Sequence, residues 1–267
     1  MPVRIRTSRL LGQNFLIDPA VLQRIVEHAA PEEEEVILEV GAGTGNLTSL
    51  LQQAAGRVVA IEKDPKLADQ LRRKFQDKDN VEVIEGDVLK ISLPSFDKVI
   101  ADPPYNISSK LIFMFLRKPL KSMTMVFQRE FALRLIATPG SADYGRLTVA
   151  LSHRAKTQLM DFVPRTAFRP TPRVDSCIVR IIPKSQVTPV DESSLDQMVR
   201  YLFSQRKKTL KAVLKRATST TVRKSLNSLV KPEDLLDKRI FQLTPSEFEN
   251  ISNCLSPQHK LFKFSNR

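Results

Sequence analysis

The chain has 267 residues, and 42 Lys+Arg against 29 Asp+Glu give a formal net charge of +13, an excess that suits a polyanionic partner such as nucleic acid. With 42% hydrophobic and 27% charged residues, its composition is that of a folded protein, which excludes disorder throughout. No run approaches the roughly 18 consecutive apolar residues of a membrane span, and two distant cysteines, Cys177 and Cys254, encode neither a disulfide framework nor a zinc knuckle.

The chain starts with Arg4, Arg6 and Arg9 but without the apolar stretch of a signal peptide, so a cytoplasmic protein is expected. Short β-branched runs then alternate with amphipathic segments. Strands are predicted at residues 36–40, 58–62, 81–85, 98–101, 123–127, 147–151 and 177–182, with helices between them. This alternation predicts an α/β fold with a parallel, doubly wound sheet, which binds ligands beyond the carboxyl ends of its strands. A polar stretch from Pro183 to Pro189 breaks the pattern, and the domain boundary is drawn there, giving domains 1–183 and 184–267. The second holds 16 Lys+Arg and 8 Asp+Glu, a net of +8 that leaves +5 for the first. Within it, Leu195, Val199, Leu202, Leu210, Val213 and Leu214 recur near helical spacing, with Arg206, Lys207, Lys208, Lys211, Lys215 and Arg216 on the other faces. Short helices are predicted at 232–239 and 244–253, the latter opened by the cap-and-proline pattern Thr244-Pro-Ser-Glu247, so this part reads as a small helical domain. Beside a domain that acts on nucleic acid, its basic face would supply sequence-independent affinity for phosphates.

The first predicted strand runs into Gly41-Ala-Gly-Thr-Gly45, whose glycines permit positive φ and let backbone amides approach a ligand at a helix start. The third glycine comes one residue too early for the dinucleotide fingerprint G-x-G-x-x-G, so nicotinamide or flavin binding is the poorer fit. Alone, the run is compatible with a plain strand-to-helix turn. Glu62 ends the second strand, placed to accept from ribose hydroxyls, and Asp87 follows the third, placed to accept the amino group of an adenine. Acids at successive strand ends plus a glycine turn describe a site for an adenosine.

The fourth strand ends in Asp102-Pro-Pro-Tyr105. The exocyclic amine of adenine is a poor nucleophile because its lone pair is delocalised into the ring, so a catalyst must hold it pyramidal with hydrogen-bond acceptors. The Asp102 side chain and the Pro103 carbonyl supply two acceptors, the prolines stiffen the loop, and Tyr105 offers a ring for the base. The plain alternative is a proline-rich turn.

With these residues in place, the sequence resembles the ribosomal RNA adenine dimethyltransferases over nearly its whole length. Membership implies a Rossmann-like methyltransferase sheet, S-adenosylmethionine as cofactor, and dimethylation of two adjacent adenines near the 3′ end of small-subunit rRNA, with a role in small-subunit biogenesis. Gly12-Gln-Asn-Phe-Leu16 resembles the N-terminal cofactor motif and implies that Asn14 and Leu16 contact the cofactor. Gly41 and Gly43 match the glycine loop, Glu62 with Lys63 the ribose-binding position, and Asp87 with Val88 the adenine-binding pair; Asp102 lines the same site. Gln128-Arg-Glu-Phe-Ala132 and Phe168-Arg-Pro-Thr-Pro-Arg-Val-Asp-Ser176 match two later segments, and the resemblance implies that Phe168 is the second wall of a base sandwich. Read from its residues alone, that last loop is a proline-stiffened segment whose Arg169 and Arg173 touch phosphate. Where the family usually has Asn and an aliphatic residue, this chain has Asp102 and Pro103, a form similar to that of DNA and messenger-RNA adenine methyltransferases.

The expected partners are small-subunit rRNA or the immature small ribosomal subunit, bound by a monomer without metal or membrane. RNA contacts are expected at Arg169, Arg173, Arg206, Lys207, Lys208 and Lys211. Three rivals stand beside this reading: a methyltransferase acting on large-subunit rRNA or DNA, a mainly non-catalytic assembly or transcription factor, and a cofactor-binding oxidoreductase.

Overall fold

The structure, a computed structural model, describes residues 14–216 and 233–255. Its centre is a seven-stranded sheet of β2 (Val36–Val40), β3 (Arg57–Glu62), β4 (Val81–Glu85), β5 (Lys98–Ala101), β6 (Ser122–Gln128), β7 (Ala155–Val163) and β9 (Ser176–Pro183), in the order β4-β3-β2-β5-β6-β9-β7. A short pair, β1 (Phe15–Leu16) and β8 (Phe168–Arg169), lies apart from it, with Leu16 opposite Phe168. β4 to β6 by way of β3, β2 and β5 are parallel, but β9 runs antiparallel to β6, so the sheet is mixed where a parallel one is predicted. The order reverses between β2 and β5, which makes the crevice beyond their carboxyl ends the topological switch point.

The helices form where the pattern predicts them in the first half of the chain. α1 (Pro19–Ala29) is capped by the Asp18 side chain, which accepts from Ala20 and Val21, and its apolar stripe buries Val21, Leu22, Ile25 and Val26. α2 (Asn46–Ala54) follows β2, and α3 (Pro65–Lys74), capped by Asp64, follows β3. α4 (Ser108–Phe115) follows β5, and α5 (Arg129–Ile136) follows β6.

Residues 147–151, predicted as a strand, lie instead inside α6 (Arg146–Arg154). A five-residue apolar run has no resolvable period, and here Gly145 starts a helix in which Thr148 Oγ1 accepts from the Gly145 N–H and donates to the Arg134 carbonyl. The strand that completes the sheet, β7, comes immediately afterwards.

The chain divides into two compact units, Met1–Ala132 with Lys156–Pro183, and Leu133–Ala155 with Lys184–Arg267. The second unit therefore draws on residues 133–155 as well as on the chain beyond Pro183. Its core gathers Tyr144, Val149, Leu195, Val199, Leu202, Leu210, Val213 and Phe248. The stripe read as running from 195 to 214 belongs to two helices, α7 (Glu192–Phe203) and α8 (Leu210–Arg216). Between them, the N–H of Leu210 bonds to the Lys238 carbonyl at 2.9 Å, and Thr209 forms a β-bridge with Arg239, so a pairing with distant chain interrupts the helix. Of two further helices, Glu233–Asp237 falls within the predicted stretch 232–239, whose Pro232 lies outside the described residues, and Pro245–Leu255 runs two residues past the predicted 244–253. Thr244 and Glu247 cap the second reciprocally: Thr244 Oγ1 accepts from the Glu247 N–H at 3.2 Å, and Glu247 Oε2 from the Thr244 N–H at 2.7 Å. Among the described residues no helix is long and apolar enough to cross a membrane.

Candidate functional site

Beyond β2 the chain turns through Gly41, Gly43 and Gly45, whose φ angles of 75°, 56° and 73° lie in the left-handed region that disfavours a side chain. Space is also short there. A Cβ on Gly43 would stand 3.0 Å from the Phe15 ring, and one on Gly45 would stand 2.7 Å from Leu71 Cδ2. Lys74, at the end of α3, donates to the carbonyls of Thr44 and Gly45 at 3.1 and 2.8 Å, and Asn46 Nδ2 donates to the Leu16 carbonyl at 3.0 Å. The loop is thus held from β1 and α3 together. No side chain caps the start of α2, which leaves first-turn N–H groups for a polar ligand.

Glu62 is buried at the end of β3, where Oε2 accepts from the Gly43 N–H and Oε1 from the Asp64 N–H, both at 2.8 Å. A carboxylate has about four acceptor positions, so two backbone bonds fix its plane and leave acceptor capacity for a diol. Asp87 is held similarly, with Lys63 Nζ 3.0 Å from Oδ2 and the Leu89 N–H 3.1 Å from Oδ1. The Lys63 hydrogen bond holds its carboxyl below the ordinary range. Beneath the loop lies an acid that the sequence reading passes over. Glu39 is buried in β2, and its Oε2 accepts from Thr48 Oγ1 at 2.6 Å. Burial pushes its pKa up to about 8, the Thr48 hydrogen bond opposes that rise, and the charge of Glu62 adds to it. Its signal in the sequence is a lone acid in an otherwise apolar strand run.

Asp102, Pro103, Pro104 and Tyr105 follow β5 on the other side of the crevice. A Cβ on Gly41 would be 3.5 Å from Pro104 Cδ, so a side chain there would fill the space between the two loops. Asp102 is half-buried, and burial pushes its pKa up to about 8. Among the described residues, none donates to the Asp102 carboxylate or to the Pro103 carbonyl. Two acceptors therefore stand unused, one residue apart. Tyr105 is tied down: its hydroxyl lies 2.8 Å from Ser176 Oγ at the start of β9. Burial, and then the nearby charge of Asp102, raise the Tyr105 phenol above its ordinary pKa, so it stays protonated.

One cavity of about 270 Å³ brings these groups together. Its walls include every residue expected at the cofactor: Asn14, Leu16, Gly41, Gly43, Glu62, Lys63, Asp87, Val88 and Asp102. Pro103 and Tyr105 line it as well, and so do Phe15 and Glu39, which the sequence reading does not single out. Gly12 and Gln13 of the N-terminal motif lie outside the described residues.

Phe168 is not among those walls. It is 2% exposed and belongs to an apolar cluster with Leu16, Leu22 and Val163. Pairing of β8 with β1 places Phe168 opposite the buried Leu16. The residues expected at RNA also separate. Arg169, Arg173, Lys207 and Lys211 are exposed. Arg206 instead donates to the carbonyls of Ala142 and Ser141 at 3.1 and 3.2 Å and lies 5.4 Å from the Phe241 ring centroid, while Lys208 donates to Gln205 Oε1 at 3.0 Å. Both are partly buried structural contacts in the second unit. The Arg216 side chain lies outside the described residues.

Known proteins resemble the chain along most of its length. The family model "Ribosomal RNA adenine dimethylase" matches residues 4–253. A "Probable ribosomal RNA small subunit methyltransferase A" of Methanosarcina mazei is 39% identical over 246 residues, covering 91% of each chain. A namesake in Methanosphaera stadtmanae is 41% identical over 261 residues, 95% of this chain and 94% of that one. Among solved structures, a dimethyladenosine transferase from Plasmodium falciparum superposes with a TM-score of 0.79 at 31% identity, covering 89% of this chain and 95% of that one. The 23S rRNA methyltransferase ErmE superposes with a TM-score of 0.69 at 28% identity, covering 90% and 99%.

Proposed function

The chain belongs to the ribosomal RNA adenine dimethylase family, and from that premise we propose that it dimethylates the exocyclic amines of two adjacent adenines near the 3′ end of small-subunit rRNA, with S-adenosylmethionine as donor. The observation that carries the reading is the pair of unused acceptors at Asp102 and Pro103 on the wall of a cavity that also holds Glu62 and Asp87. The residues fit the donor: the positive-φ glycine turn admits close backbone approach, Glu62 retains acceptor capacity for ribose hydroxyls, and Asp87 stands at the next strand end for an adenine. When bound, S-adenosylmethionine supplies an electrophilic methyl group on a sulfonium.

The chain's own residues do the rest. The target adenine leaves its stack to reach the cavity. Its amine donates to the Asp102 carboxylate and the Pro103 carbonyl, which hold the nitrogen pyramidal and aim its lone pair along one line. Tyr105, fixed by Ser176, presents its ring to the base. No group in the cavity has to abstract a proton before the bond forms, because the methylated amine is acidic enough to lose one to water afterwards. In the second methylation the monomethyl amine has one N–H left, which donates to one of the two acceptors while the first methyl takes the place of the other N–H.

Small-subunit rRNA, in the immature subunit, is the proposed partner, engaged by a cytoplasmic monomer through exposed Lys207, Lys211, Arg169 and Arg173. The higher identity of the small-subunit relatives and the 168–176 loop favour this over a large-subunit target, for which the likeness to ErmE speaks. The test is incubation with immature and mature small subunits and a labelled methyl donor, followed by mapping and mass spectrometry of digested RNA. Dimethyladenosine at two adjacent positions is expected. Label confined to large-subunit RNA, DNA or protein would overturn the assignment, and monomethyladenosine alone at saturating donor would overturn the second step.

A further inference from the structure

The penultimate residue of β7, an edge strand, is Phe162, which is 53% exposed. The Arg129 guanidinium lies 5.9 Å from the centroid of its ring. Val174, 44% exposed, belongs to the loop that follows β8. In the segments that carry Phe162 and Val174, Arg165, Arg169 and Arg173 are exposed, and no described residue forms an ion pair with them. Of the acids in the same segments, Asp161 pairs with Arg24 at 2.9 Å, while Asp175, whose Oδ1 accepts from the Arg165 N–H at 2.9 Å, and exposed Glu130 keep their charges, so the four arginines remain in excess. The patch adjoins the methylation site through the backbone. The Arg129 N–H bonds to the Asp175 carbonyl at 2.9 Å, and the next residue, Ser176, bonds to Tyr105.

We propose that Phe162 and Arg129 form a stacking platform for an unpaired nucleobase next to the target adenine, and that Arg165, Arg169 and Arg173 receive phosphates of the same strand. An aromatic ring with an arginine over it is what a single-stranded base stacks upon, and the surrounding positive charge selects a polyanion over an apolar protein segment. Withdrawing an adenine from its stack also uncovers the face of its neighbour, so an unpaired base is available there. This inference rests on the proposed RNA activity.

The test uses the full chain and single-stranded RNA oligonucleotides that carry a target adenine and 5-iodouridine at successive flanking positions. Photocrosslinking to Phe162 from one flanking position is expected. Phe162→Ala should weaken binding by about tenfold, within the roughly five- to hundredfold span of one base–aromatic stack, while thermal midpoint and donor affinity stay unchanged. Phe162→Trp should restore binding and Phe162→Leu should not, because leucine keeps the apolar bulk without a π face. Binding of Phe162→Ala within twofold of the parent, or full rescue by leucine, would overturn the platform. Crosslinking and binding require no turnover, so a parent protein that crosslinks at Phe162 yet transfers no methyl would overturn the activity and leave the platform standing.

Discussion

Asp102 offers the sharpest quantitative test. Its pKa is raised by burial to about 8, so in the free enzyme roughly a tenth of the molecules carry the carboxylate at pH 7 and roughly nine-tenths at pH 9. The carboxylate is the stronger acceptor for an amine N–H, so kcat/KM for the donor, which reports the free enzyme, should rise about tenfold over that interval with a midpoint near 8. Folding stability should move the opposite way. Between the ordinary aspartate pKa and 8 the native state keeps a proton that the unfolded chain has lost, so this group's contribution falls as pH rises through that window. Asp102→Asn keeps a carbonyl acceptor but cannot ionise; it should remain active with a flat profile, whereas Asp102→Ala should lose roughly a hundredfold or more in kcat while donor affinity is retained. Because Glu39 also titrates near 8 in the same cavity, Glu39→Gln is the required control and should leave the midpoint in place. Initial rates from pH 6.5 to 9.5 at constant ionic strength suffice. A flat parent profile, or a midpoint that survives in Asp102→Asn, would refute the assignment of that titration to Asp102.

Two further outcomes follow from the same structure. Gly43→Ala places a methyl group at φ 56° and 3.0 Å from the Phe15 ring, so calorimetric titration should show donor affinity reduced by about five- to thirtyfold, the equivalent of about 1–2 kcal/mol of left-handed strain; unchanged affinity would mean that the loop relaxes freely. Replacing exposed Lys207 and Lys211 together with alanine should lower the slope of log affinity for rRNA against log salt by about 2, one for each lost phosphate contact, and an unchanged slope would remove these lysines from the RNA surface.

The cavity proposed for the cofactor is legible in the sequence because strand-end motifs carry their own geometry. A glycine run after an apolar strand, with acids closing the next two strands, forces Gly41, Glu62 and Asp87 to one edge of the sheet, and so the nine expected residues meet in one cavity. What the sequence hides depends on distant partners. The apolar run at 147–151 has no period to tell strand from helix, and its helical state rests on Gly145, Thr148 and the Arg134 carbonyl. Phe168 carries an aromatic in the expected motif, but pairing with the N-terminal Leu16 turns it into the core, which motif identity alone does not reveal. Arg206 looks like its basic neighbours until the carbonyls of Ser141 and Ala142, over sixty positions away, take up its donors.

The hydrogen bond between Tyr105 and Ser176 gives the chain a division of labour along its own length. Every wall of the cavity lies between Asn14 and Ile107, whereas the hydroxyl that steadies Tyr105 arrives 71 positions later, with the last strand to be threaded into the sheet. During synthesis the donor pocket is therefore encoded well before the base-orienting contact exists. A nascent chain halted between the two carries all the residues that hold the methyl donor and none of the bracing that aims an adenine at it. The Tyr105 hydroxyl is therefore braced only in molecules whose β9 has joined the sheet beside β6.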